Sequence, residues 1–325
     1  MRKKQPDTLA RRAMRLLCSL LGILLGVMLA VSCTFGYLMN RLAPVPASGG
    51  SAPVFSLSST WEGTGTAVSL ARGTRESRVV NILLIGQDRR EGEEMARSDS
   101  MILCTLDRDA DSLTMTSFLR DLYVPIPGHG SNRINAAYAY GGMNLLEQTI
   151  EENFGITVDG AIEVDFDQFS RIIDLLGGIS LQLRQDEADT INRETGSTLT
   201  EGLQHLTGHQ ALTYSRIRSL DPDGDFSRTG RQRKVMEAIV AKCRGAGPST
   251  LIPLLDQMLP MITTDLRSGQ LLLLALEIVP QLSDLQLTSH RIPADGTFSD
   301  DTIDGMRVLN ADLDAARQLL QDIAN

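Results

Sequence analysis

From Leu16 to Asn40 the chain carries no charged side chain in 25 consecutive positions (LLCSLLGILLGVMLAVSCTFGYLMN). At about 1.5 Å of rise per helical residue, such a run crosses a hydrocarbon core of about 30 Å, so one transmembrane helix is expected there. Residues 1–41 hold Arg2, Lys3, Lys4, Arg11, Arg12, Arg15 and Arg41 against Asp7, a net of +6. Because the whole chain sums to −9, the remainder carries −15. The basic cluster precedes the apolar run, which by the positive-inside rule puts the N-terminus in the cytoplasm and the bulk of the chain outside. Tyr37 sits near the outer end, where an interfacial aromatic is expected. A cleaved signal peptide is the competing reading. It is disfavoured because the apolar run exceeds a usual signal core and no A-x-A site follows. Ala30-Val31-Ser32-Cys33 loosely resembles a lipoprotein cleavage box, but Ala stands where Leu is usual.

The acidic remainder argues against a nucleic-acid binder, since no basic charge is spread over a face. With 42% hydrophobic and 22% charged residues, the chain is globular rather than disordered or fibrous. Four segments follow: a cytoplasmic basic tail over 1–15, the anchor over 16–40, a Pro/Ser/Gly/Thr-rich tether over 41–78 and one domain over 79–325. Within that domain VVNILLIG and Met101–Leu106 read as buried strands, and Ser112–Ser117 as a strand joined to the second by an Asp107–Asp111 turn. Ala161–Val164 and Ile179–Leu183 also read as strands. Helices are expected over Asn135–Phe154, Phe166–Leu176 (stopped by Gly177-Gly178), Gly208–Ile217 and Arg231–Arg244, and over much of the Leu-rich, proline-interrupted stretch Leu251–Ile278. Strands alternating with helices predict an α/β fold, a three-layer α/β/α domain with a central mixed sheet. Of the four cysteines, Cys18 and Cys33 lie in the membrane segment. Cys104 and Cys243 are expected to be buried or unpaired thiols, and nothing supports a bridge between them.

Common catalytic signatures such as GxxxxGK[ST], HExxH, GxSxG and CxxC are absent. His205 and His209 are four apart and could share a helix face as zinc ligands do, but no third ligand is evident and a structural or surface role is favoured. What stands out is arginine beside aspartate at the ends of expected strands. Asp88, Arg89 and Arg90 follow the first strand, Arg97-Ser98-Asp99 precedes the second, and Arg120-Asp121 follows the third. Ligands of open α/β sheets sit beyond such strand ends. Arg133 lies in a loop before a helix. Arg216-Ile217-Arg218, Asp221, Asp223, Asp225, Arg228 and Arg231-Gln232-Arg233 come later. Guanidinium forks match phosphate oxygens, and paired carboxylates hold Mg²⁺ that bridges to phosphates. Several Arg with two Asp suggest a pyrophosphate and a metal, while scattered surface salt bridges remain an equal alternative on composition alone.

Longer motifs decide between these. VVNILLIGQDRR, RSDSMILCTLDRDADSLTMTSFLRDLYVPIPG, NRINAAYAYGGMNLL, DLLGGISL and YSRIRSLDPDGDFSRTGRQRKV run in order from Val79 to about Arg244, and together they closely resemble the LytR-CpsA-Psr family. HRIPADGTFSDDTIDGMRVLN resembles the family's usual closing segment. The resemblance implies a membrane-anchored phosphotransferase of a Gram-positive-type bacterium. Such an enzyme moves a glycopolymer, of teichoic acid or capsule type, from an undecaprenyl-pyrophosphate carrier to the C6 hydroxyl of N-acetylmuramic acid in peptidoglycan. By the same resemblance Asp88 and Asp99 take the Mg²⁺-associated positions, Mn²⁺ being possible. Arg97, Arg120, Arg216, Arg218 and Gln232 take the pyrophosphate positions, and Arg97 and Arg120 join the two aspartates in catalysis. Arg133 stands where the family commonly has Lys, and Arg90 matches a recurring basic residue. Asp88 is the expected proton acceptor. Asp225 and Arg228 are expected to pair and brace the loop carrying Arg216 and Arg218. The Leu251–Leu276 leucines serve as core more readily than as a groove for a lipid tail. Two other functions stay open: a hydrolase of the lipid pyrophosphate, and a non-enzymatic lipid-phosphate-binding or regulatory protein.

Overall fold

The apolar run at Val79 forms the middle of the sheet. The computed structural model describes residues 78–87, 98–221 and 224–324. Strand β1 (Val79–Gln87) pairs antiparallel with β2 (Ser98–Asp107), which pairs antiparallel with β3 (Ser112–Phe118). On its other side β1 pairs in parallel with β6 (Gly160–Asp165), and β3 pairs in parallel with β10 (Gln286–Ile292). A two-residue β9 (Thr263–Thr264) closes the β6 edge, so the mixed six-stranded sheet reads β10-β3-β2-β1-β6-β9.

Period-two alternation sends successive side chains of β1 to opposite faces. Leu83 and Ile85 enter one core with Met101, Leu103 and Phe118. That core is covered by α1 (Asn135–Phe154) and α8 (Leu313–Ala324). Val80 and Ile82 enter the other core, against α5 (Asp225–Ala246), α6 (Pro248–Met258) and α7 (Ser268–Gln281). Leu83 is 0% exposed, and its truncation to Ala is expected to cost about 2–5 kcal/mol. The leucine-rich stretch is helical over much of its length, as expected, in the two helices α6 and α7. Leu251, Leu254, Leu274 and Ile278 pack into this second core, while Leu273 and Leu276 are exposed.

A third core lies in an annex built from α2 (Phe166–Leu175), β7 (Ile179–Leu183), α3 (Gln185–Thr195), β8 (Gly202–Leu206) and α4 (Gly208–Arg216). The expected strand at Ile179 belongs here, paired with β8 and not with the central sheet. Asp165 and Thr207 cap α2 and α4 through boxes with Gln168 and Gln210, which fixes where both helices begin. α2 and α4 approach so closely that a Cβ on Gly208 would lie 1.9 Å from the Ser170 carbonyl oxygen. His205 is on β8 and His209 on α4, so the two do not share a helix face. Two hairpins complete the structure, β4 (Tyr123–Ile126) with β5 (Gly130–Arg133) and β11 (Phe298–Ile303) with β12 (Met306–Ala311).

Two helical expectations need correction. The Asn135–Phe154 helix is broken at Gly141-Gly142, where Gly142 has φ 65°. Helix α5 begins at Asp225, six residues before the expected Arg231. Cys104 and Cys243 are free thiols, and burial pushes the Cys104 thiol up to about 12. Among the described residues no helix is long and apolar enough to cross a membrane. The expected anchor over 16–40, with its tail and tether, lies outside the described residues.

Candidate active site

The sheet's connectivity gathers one set of strand ends. Because β1, β2 and β3 form a meander, the end of β1, the start of β2 and the end of β3 share one edge. β6 and β10 run parallel to their neighbours and end there too. Asp99, near the start of β2, therefore meets Arg120, just beyond the end of β3, with Arg120 Nη1 donating to Asp99 Oδ1 at 3.0 Å.

The first turn of α5 and the segment after α4 complete the cluster. Arg120 Nε lies 2.8 Å from Asp225 Oδ2, and Arg228 Nη2 donates to the same oxygen at 3.1 Å. Arg228 Nη2 also reaches the Asp99 carbonyl at 3.3 Å, and its Nη1 lies 3.9 Å from Asp99 Oδ1. Arg218 Nη2 is 3.7 Å from Asp99 Oδ1 and its Nε 3.9 Å from Asp225 Oδ1. Arg133, at the end of β5, lies 3.3 Å from Asp121 Oδ1 and donates from Nε to the Arg307 carbonyl at 2.9 Å. Asp121 is itself 3.7 Å from Arg120.

Among the described residues, four guanidiniums thus meet three carboxylates. Arg228 is 2% exposed, yet its Nε has no hydrogen-bond partner. Burial works against the Arg120 charge, but Asp225, Asp121 and Asp99 together hold its pKa above the ordinary value. Burial raises the Asp225 pKa, with Arg120 and Arg218 pulling the other way. A partly buried cluster with more guanidiniums than carboxylates among the described residues, and with unspent N–H donors, is suited to a polyanion of several oxygens.

Of the expected site residues, the structure joins Asp99, Arg120 and Arg218 directly, and Arg133 through Asp121. Gln232 is half-buried one helical turn beyond Arg228, its Oε1 buried without a partner. Arg216 ends α4 with its guanidinium 4.6 Å from the ring centre of Phe166, the residue that follows the end of β6. Asp88, Arg90 and Arg97 lie outside the described residues. Asp225 and Arg228 do pair, as expected, and Asp225 also faces Arg218 on the segment after α4, but both are residues of the first turn of α5 and lie inside the cluster.

Beside the end of β1 sits a trio that the sequence reading missed. Tyr138 Oη donates to Glu163 Oε2 at 2.5 Å and Gln87 Nε2 donates to Glu163 Oε1, all three residues being buried. The available signal was a Glu inside the otherwise apolar strand AIEV. A cavity of about 580 Å³ lies elsewhere, lined in part by Leu183, Arg184, Lys234 and Glu237, and it includes none of the site residues.

This is a mixed α/β domain with an arginine-rich cluster at its strand ends. A sequence model of the LytR_cpsA_psr family matches residues 58–325, and the chain belongs to that family. Over 177 residues it is 41% identical to a Bacillus mycoides (strain KBAB4) protein named "Polyisoprenyl-teichoic acid--peptidoglycan teichoic acid transferase TagU". That match covers 54% of this chain and 56% of the relative, so the chain spans about half the length of the curated relative. Among solved structures it is similar to Bacillus subtilis TagT (28% identity, TM-score 0.62, covering 75% of this chain and 90% of that one). It is also similar to TagT with bound octaprenyl pyrophosphate lipid (27% identity, TM-score 0.59, the same coverage).

Proposed function

We propose that this protein is a membrane-anchored phosphotransferase. It would move an anionic glycopolymer from a polyprenyl-pyrophosphate carrier to the C6 hydroxyl of N-acetylmuramic acid in peptidoglycan. The observation that carries this is the cluster of Arg120, Arg218 and Arg228 on Asp99 and Asp225, three guanidiniums against two carboxylates among the described residues where the strand ends meet. The TagU relative's name and the lipid in the TagT structure supply the substrate class. The uncharged Leu16–Asn40 run supports the anchor, with the domain on the outer side of a Gram-positive-type cell membrane.

Phosphoryl transfer asks a protein for positioning and charge neutralisation more than for covalent chemistry. Arg120, Arg218 and Arg228, with Arg97 and Arg216, would hold the two phosphates and spread the charge of the departing polyprenyl phosphate. The acceptor hydroxyl attacks the phosphorus bearing the polymer, and the bond from that phosphorus to the bridging oxygen breaks. The hydroxyl proton passes to a carboxylate, assigned here to Asp88. Asp99 suits a divalent ion, being a hard oxygen donor 24% exposed whose three arginine contacts among the described residues run through Oδ1. Asp88 and Asp99 would hold Mg²⁺, or Mn²⁺, which when bound neutralises phosphate charge.

The test uses the full chain in detergent with an undecaprenyl-pyrophosphate-linked saccharide, uncross-linked peptidoglycan and Mg²⁺, with products followed by mass spectrometry. A muramic-acid phosphodiester adduct that disappears in Asp99→Ala is expected. Saccharide phosphate released without an adduct would make the protein a hydrolase. Arginine-dependent lipid binding without turnover would make it a binding module.

A further inference from the structure

Helix α5 presents three stripes at helical spacing, and only two belong to the groups already described. Asp225, Arg228 and Gln232 form the site stripe, and Arg231 faces the annex. The third holds Phe226, Gly230 and Arg233. Arg233 folds back over Gly230, its Nη2 4.0 Å from where a Cβ on that glycine would stand. Its Nη1 is buried with no hydrogen-bond partner, and Arg233 makes no ion pair among the described residues.

The residue facing this stripe adds more positive charge. Arg291 on β10 aligns with Ser117 of β3, so it stands near the edge that bears Arg120. Its Cζ lies 4.7 Å from the Phe226 ring centre, and Phe226 stacks on Phe298 at 5.1 Å. The carboxylate paired with Arg291 is Asp295, itself 89% exposed. Burial, followed by the charge of Arg291, holds the Arg233 pKa below its ordinary value, with Glu237 offsetting only part. A guanidinium without an ion pair among the described residues, with a buried N–H unspent and Arg291 over Phe226 on its own stripe, is matched by an oxyanion with several oxygens. The half-buried Phe226, stacked on Phe298, carries the Arg291 guanidinium over its ring and so fixes where that charge stands.

We propose that Arg233, Arg291 and the Phe226–Phe298 pair form a second anion subsite that takes a phosphate-bearing unit of the glycopolymer, next to the pyrophosphate cluster. The subsite deepens the transfer reading and rests on it for the identity of the ligand. It would hold the polymer by a repeat unit beyond the reacting phosphorus and so select polymers that carry phosphate.

Isothermal titration of the full chain in detergent micelles tests this, using a lipid-free glycerol-phosphate oligomer, octaprenyl pyrophosphate and inorganic phosphate as separate probes. Arg233→Gln and Arg291→Gln are each expected to weaken the oligomer about tenfold, while the octaprenyl pyrophosphate Kd moves by less than about twofold. Arg233→Gln is also expected to raise the Tm of the ligand-free protein, because it removes one of two like charges. Arg233→Lys, which keeps charge but loses the fork, falls between. Oligomer binding unchanged in both Gln variants overturns the subsite. Inorganic phosphate binding as tightly as the oligomer also overturns it, as an adventitious ion only. Wild-type protein that binds octaprenyl pyrophosphate but not the oligomer overturns the subsite and leaves the transfer reading standing. Arginine-dependent oligomer binding without octaprenyl pyrophosphate binding supports the subsite and sinks the transfer reading.

Discussion

Arg228 and Arg231 sit three residues apart on one helix, 2% and 3% exposed, and they live in opposite electrostatic worlds. Arg231 is closed. Its Nε donates to Glu187 at 2.9 Å, its Nη1 to the Ile217 carbonyl at 3.3 Å, and its Nη2 to Asp221, which Arg184 also holds at 3.0 Å. Two arginines there meet three carboxylates, Asp186, Glu187 and Asp221. Arg228 is open, with an unpartnered Nε in a group of four arginines and three carboxylates. Burial alone does not tell structure from function; the balance of charge and of satisfied donors does.

Breaking the closed cluster should have the largest effect on folding. Arg231→Ala leaves Glu187 buried without its partner and is expected to cost about 3–5 kcal/mol in chemical denaturation. A loss under about 1 kcal/mol would mean the annex does not depend on it. Removing the open arginine should act on chemistry instead. Arg228→Ala is expected to lower transfer about 10²–10³-fold in the mass-spectrometric assay, as loss of one preorganised donor does. Its stability loss should be smaller than that of Arg231→Ala, since Arg120 and Arg218 still face Asp225. Arg218 sharpens the contrast at the exposed end. Arg218→Gln should leave stability within about 0.5 kcal/mol but weaken octaprenyl pyrophosphate binding about tenfold.

A third locus carries the reverse imbalance, carboxylates with no ion pair among the described residues. Burial first, then the neighbouring Asp265 and Glu151, raise Glu147 from 4.5 to about 8. A folded-state pKa above the unfolded value means the folded form binds the extra proton. Its contribution is therefore full below pH 4.5 and lost as pH rises through about 8. Glu147→Gln should flatten that slope, so the difference in Tm from wild type grows in the variant's favour between pH 5 and pH 8.5, by a few degrees (~) at most. A pH-independent difference would show that Glu147 does not titrate in this range.

Much of the site was legible because its signals are local. The hairpin from Met101 to Ser117 follows from an apolar run, an Asp-rich turn and an alternating run. Once it is drawn, Asp99 and Arg120 must share an edge. The start of α5 at Asp225 is hidden in the sequence because Asp221–Gly224 has turn composition and Gly224 offers no side-chain cap to mark a helix start. β10 escaped notice because QLTSHRI is largely exposed or half-buried, and an edge strand needs no continuous apolar run.

By itself, the sequence determined the β1–β3 meander, the family, and the set of arginines and aspartates available for a phosphate, since period-two patterning and turn chemistry act over a few residues. Only the tertiary structure decided which charges close on one another. Arg231 finds Glu187 44 positions away, and Arg291 reaches Phe226 through a strand pairing that spans 174 positions between Thr114 and Thr288. Charge balance at a buried site is a sum over such distant neighbours, and no local pattern encodes it.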